Sequence, residues 1–169
     1  MRTTNTTRVI LGVDGSLAGL RALRVAVAQA RHHSAVLHAV RVWNFEFASA
    51  GYPAEWAREV EQEAFGVVTQ AFEDAMGGEP EDVDVMLVTK NGPPGRTLTE
   101  YAHRDSDLLV VGSSRRCRLR HLVSKSVSHY CMNHATCPVL VVPADAFARA
   151  VARDGMERAI GRDLQMLTG

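Results

Sequence analysis

Five short apolar runs, separated by stretches of helical periodicity, narrow the folds open to this chain more than any other feature. The runs are Arg8–Val13 (RVILGV), Ala35–Trp43 (AVLHAVRVW), Val83–Val88 (VDVMLV), Leu108–Val111 and Val139–Val142, the last stopped by Pro143. Each is short, rich in β-branched residues and bounded by turn residues, as buried strands are. Between the first two, Leu20, Leu23, Val27 and Ala30 recur at helical spacing from about Leu17 to Arg31. After Gly51 and Pro53 a longer helix is predicted to about Met76. Its apolar stripe is Trp56, Val60, Ala64, Val67 or Val68, Ala71, Phe72 and Ala75, and its acids take the other face. Asn91-Gly92-Pro93-Pro94-Gly95 starts a third helix carrying Leu98, Tyr101 and Ala102. A fourth runs through Val123, Val127, Tyr130 and Cys131. This alternation predicts an α/β fold: a single doubly wound domain, its five-stranded parallel sheet covered by helices on both faces.

In such sheets ligands bind beyond the carboxyl ends of the strands, where the strand order reverses. Two polar glycine turns are expected there, Asp14-Gly15-Ser16 and Gly112-Ser113-Ser114. If the first and fourth strands are neighbours, both turns line one crevice. From Leu108 to Ala144 the chain has no acidic residue, while Arg115, Arg116, Arg118, Arg120 and Lys125 fall within it. A glycine turn that leads through cations to a helix start suits an anion.

Residues 1–7 read as a polar leader and 8–143 as the folded domain. In the extension 144–169, Phe147, Val151, Met156, Ile160, Leu164 and Leu167 recur near helical spacing. That extension reads as a helix packed back on its own domain, with a partner-binding arm as the alternative. Formal net charge is zero, which argues against general attraction to nucleic acid or anionic membrane. Charge is unevenly spread: Glu46 to Asp84 holds eleven acids and one base. Three cysteines and no signal-peptide pattern point to free thiols in a cytoplasmic protein. No apolar run is long enough to span a bilayer.

Other constellations are weaker. Cys117 between Arg116 and Arg118 is a candidate redox thiol, set against an incidental loop cysteine. Cys131, His134 and Cys137 recur every three residues but lack a fourth ligand, so they read as core cysteines and no metal site is expected. His32-His33 suits a helix C-terminus, and Trp43 and Trp56 read as packing residues. The basic segment has no interleaved aromatics, so nucleic acid is not expected as a partner. No Gly-x-Ser-x-Gly elbow or nucleophile–base pair is legible, and no enzyme is assigned.

Taken together, ILGVDGS, the long acidic second helix, DLLVVGSS and CPVLVVP resemble the universal stress protein family over about Arg8 to Pro143. The resemblance implies strand order 3-2-1-4-5 and a homodimer formed through the last strand, 139–142. Many members of that family bind ATP through a glycine, two residues, a glycine, nine residues, a glycine and then serine or threonine. Gly112 matches the first position and Ser126 the last, while Arg115 and Lys125 replace the other glycines. Asp14 and about Val42 match the residues that hold the nucleoside. The implied site comprises Gly12, Asp14, Gly15, Ser16, Val42, Gly112, Ser113, Ser114, Arg115, Lys125, Ser126 and Val127. ATP or another adenine nucleotide is the implied ligand, with slow ATP hydrolysis at most. The two cations cut both ways: they bring a Cβ where backbone must approach phosphate, yet they can grip phosphate themselves. The implied function is cytoplasmic stress response with sensing of a nucleotide or small anion. The alternative is a dimeric protein-interaction module without nucleotide.

Overall fold

The computed structural model describes residues 7–44, 54–113 and 126–144. Its elements run β1 (Arg8–Gly12), α1 (Leu17–His33), β2 (Val36–Trp43), α2 (Ala54–Met76), β3 (Val85–Asn91), α3 (Pro94–Tyr101), β4 (Leu108–Ser113), α4 (Val127–His134) and β5 (Val139–Pro143). The sheet order is β3-β2-β1-β4-β5, with every pair parallel. β1 is therefore central, with Gly12 level with Val40 on one side and Val111 on the other.

Alternation along the strands builds two cores. Val9, Leu11, Leu37, Ala39 and Val110 point toward α1 and α2, where they meet Leu23 and Phe72. Ile10, Val40, Leu109 and Val111 point the other way, toward Leu98 of α3 and Cys131 of α4. Strands buried on both faces read as continuous apolar runs, which is why they were legible.

α1 begins at Ser16, whose hydroxyl accepts from the Gly19 N–H. It runs two residues past the expected Arg31 and ends on Ser34, held at φ 48°, whose N–H donates to the Ala30 and Arg31 carbonyls. Arg31, His32 and His33 fill the last turn, where positive charge suits the helix dipole.

Four expectations are corrected. Gly112 and Ser113 are the last residues of β4 rather than a turn, because β5 continues beside them: Gly112 is level with Val142 and Ser113 with Pro143. For the same reason Pro143 is the last residue of β5, not the residue beyond it. β3 spans 85–91 rather than 83–88, since β2 carries it on through the Arg41–Thr89, Val42–Lys90 and Trp43–Asn91 pairs. Trp56 is not in the buried stripe of α2 but 49% exposed, whereas Ala64, Val68, Ala71, Phe72 and Ala75 are buried as expected.

Candidate functional site

The reversal of strand order falls between β1 and β4, and the crevice beyond their carboxyl ends is the candidate site. Past Gly12, the Val13 N–H still bonds the Val40 carbonyl at 2.9 Å. Gly15 turns the chain at φ 71°, a conformation L side chains rarely adopt, and leaves Asp14 exposed. Asp14 Oδ1 accepts from the Ser16 N–H at 3.0 Å and from the Ser16 hydroxyl at 2.8 Å. The Ser16 hydroxyl in turn accepts from the Gly19 N–H at 3.0 Å. A carboxylate is thus tied to the first turn of α1 and still presented to solvent.

Gly112 faces this turn across a very short gap. A Cβ built on it would lie 2.9 Å from the Ala18 carbonyl carbon and 3.0 Å from the Gly19 nitrogen, both backbone atoms. Glycine at 112 therefore lets α1 pack this closely on β4, whatever lies in the crevice. Gly12 is similarly confined, with Leu98 Cδ1 2.8 Å from where its Cβ would be.

Val42 is buried on the α3 face of β2 and level with Lys90. Next to it, Arg41 is half-buried and donates through Nη1 to the Val13 carbonyl at 3.1 Å. This places a cation beside the Asp14 turn that sequence reasoning missed. The signal available was an arginine between Val40 and Val42 in the apolar second half of the strand. At the start of α4, Ser126 is exposed, its hydroxyl 2.7 Å from the buried Ser128 hydroxyl, and its carbonyl accepts from the Tyr130 N–H at 2.9 Å. Val127 is half-buried. Ser114, Arg115, Lys125 and the candidate thiol Cys117 lie outside the described residues.

The Cys131, His134 and Cys137 spacing does not gather into a ligand set. Both cysteines are buried, while exposed His134 stacks on Tyr130 with ring centroids 4.0 Å apart. Burial, then the neighbouring Cys137, pushes the Cys131 thiol up to about 11, and burial also raises Cys137. These are packed thiols, not thiolates. Among the described residues no three His, Cys, Asp or Glu side chains cluster as a metal site, and no helix is long and apolar enough to cross a membrane.

A second polar group at the opposite end of the sheet was also missed. Arg8 grips Asp107 with two bonds, Nε to Oδ1 at 2.9 Å and Nη2 to Oδ2 at 2.6 Å, and Nη2 also reaches the Tyr101 carbonyl at 3.3 Å. The Arg104 N–H adds a bond to Oδ2 at 3.0 Å. Burial pushes the Asp107 carboxyl up, but Arg8 and the Arg104 N–H outweigh it and hold the group below its ordinary value.

A family model described as the universal stress protein family matches residues 5–143. A universal stress protein of Methanocaldococcus jannaschii is 28% identical over 138 residues, which are 80% of this chain and 81% of that one. Two solved structures share the fold. One is a universal stress protein in complex with cAMP, 24% identical with a TM-score of 0.54, the match covering 83% of this chain and 98% of that one. The other is an Arabidopsis thaliana universal stress protein family protein with AMP bound, 20% identical with a TM-score of 0.52 over 83% and 93% of the two chains.

Proposed function

This chain belongs to the universal stress protein family, and from that premise we propose that it is a cytoplasmic stress-response protein that takes an adenine nucleotide in the β1/β4 crevice. The observation that carries this reading is the exposed Asp14 carboxylate, held on a glycine turn at the reversal of strand order. Solved relatives of the same fold carry cAMP and AMP. In this reading Asp14 accepts from a ribose hydroxyl and the Val42 backbone reads the base. Gly12, Gly15 and Ser16 shape the near wall. Gly112, Ser113, Ser114, Arg115, Lys125, Ser126 and Val127 surround the phosphates. Residues 8–143 form the functional unit, with 1–7 as a leader and 144–169 as an extension. Two copies pair through edge strand β5. No catalytic residue is assigned.

Calorimetric titration with ATP, ADP, AMP and cAMP tests the reading; no binding at millimolar nucleotide overturns it. Replacing Arg115 and Lys125 by glycine then tells whether these cations serve the phosphates (affinity falls) or obstruct them (affinity rises). A second reading, a dimeric interaction module without nucleotide, is favoured by one observation. Gly112 is fully accounted for by its contact with Ala18 and Gly19, with no ligand required.

A further inference from the structure

His38 sits in the middle of β2, 7% exposed, on the sheet face that α3 covers. Its Nδ1 lies 2.7 Å from the hydroxyl of Tyr101, the last residue of α3, with the two rings tilted at a centroid distance of 5.8 Å. The elements packed around this pair bring mostly positive charge. From β1 comes Arg8, its guanidinium carbon 5.5 Å from the Tyr101 ring centre, and from β3 comes Lys90, its ammonium 5.7 Å away. The segment after α3 adds Arg104 and Asp107, and His103 lies 3.1 Å from the Tyr101 carbonyl. Cys137, beyond α4, is kept a neutral thiol by burial. On α3 itself, exposed Arg96 and Glu100 pair with each other at 2.7 Å.

Among the described residues, the carboxylate that acts on His38 is Asp107, and it is already committed, taking two bonds from Arg8 and one from the Arg104 N–H. A proton added to His38 would create a buried cation with no free anion among the described residues to meet it. An imidazolium can only donate, so the contact with Tyr101 also loses the freedom of tautomer that the neutral ring has.

We propose that His38 is a proton-operated release for α3: acidification charges the imidazole, and the helix loosens at its Tyr101 end. The consequence reaches the crevice because α3 supports it from behind. One turn before Tyr101, Leu98 lies directly against Gly12, the residue that ends β1. One turn before that, Gly95 packs so close to Tyr130 of α4 that an added Cβ would be 2.8 Å from the ring. Acid would therefore weaken nucleotide retention, an effect that rests on the functional reading above.

The sign follows from burial and then Arg8, which lower the folded-state pKa of His38 against a smaller opposing effect of Asp107. The loosened state takes up a proton, so docking of α3 is fully favoured above the ordinary histidine value of about 6.5 and weakens as pH falls below it.

Amide hydrogen exchange on the full chain tests this at pH 7.5 and 5.5, after correction for intrinsic exchange. In the native protein, protection of residues 94–102 should fall by about threefold or more at the lower pH. In His38→Gln, which stays neutral and can still bond Tyr101, it should not change. No acid loosening in the native protein, or equal loosening in the variant, overturns the proposal. Should the variant fail to fold, an NMR titration of the native protein decides: α3 amides must follow the His38 midpoint, and following His103 instead overturns it. AMP titration at both pH values forms a separate arm, with affinity falling in acid for the native chain only. No AMP binding at either pH overturns the nucleotide reading, while the exchange result still judges the histidine.

Discussion

Asp14 and Gly112 show how differently two residues of one crevice can be constrained. Asp14 is exposed and acts on α1 through Ser16, so Asp14→Asn, which keeps an acceptor oxygen, should change stability by less than about 1 kcal/mol while weakening nucleotide binding. Chemical denaturation alongside calorimetry separates the two effects. Gly112→Ala should instead cost about 1–3 kcal/mol even without ligand, because the methyl meets the backbone of Ala18 and Gly19 rather than a side chain that can move. Equal stability to the native protein would show that α1 can shift. Ser34, at φ 48°, is the reverse case: Ser34→Gly should raise stability by about 0.5–1 kcal/mol, read as a higher Tm. Of these, the Asp14 turn was legible in sequence because cap and turn chemistry are local. The role of Gly112 was not, since the backbone that excludes a side chain there is folded in from residues 18 and 19.

At the scale of elements, local patterning and non-local pairing divide in the same way. Buried strands and the apolar stripe of α2 follow from periodicity, and Phe72→Ala at the centre of that stripe should cost about 3–5 kcal/mol in urea unfolding. Strand ends do not follow from periodicity. β3 gains Thr89, Lys90 and Asn91, and β4 gains Gly112 and Ser113, only because a neighbour runs on beside them. Polar residues at a strand end look like loop when read alone. Arg8 and Asp107 were hidden likewise: each flanks an apolar run as an ordinary boundary charge, and only the pairing of β1 with β4 makes them partners. Asp107→Asn leaves Arg8 charged and buried without its counterion, so it should destabilise by about 3–5 kcal/mol at pH 7. Because the Asp107 pKa is depressed in the folded state, its contribution is present above the ordinary aspartate value and lost as pH falls through the lower folded one. The variant should therefore lose less stability than the native protein on going below about pH 4, as urea midpoints would report.

Across the whole molecule, the strand order was expected from the family resemblance and the doubly wound layering from alternation alone. Both are observed. β3 and β5 are the two edges of the sheet, and if copies join through β5, Val141→Lys should shift the mass measured by light scattering from dimer to monomer. An unchanged mass would place the contact elsewhere.

The central position of β1 also bears on how the molecule is made. A ribosome delivers β1 first, and β2 and β3 can add to one of its sides soon afterwards. Its other side waits for β4, and Arg8 waits for a counterion 99 positions further along. Until then the nascent chain holds half a sheet with an uncompensated guanidinium at its edge, a form that neither closes the crevice nor hides its inner strand. Synthesis of the second half is thus also the step that completes the first, and a chain halted before Asp107 should be a substrate for chaperones rather than a small stable protein.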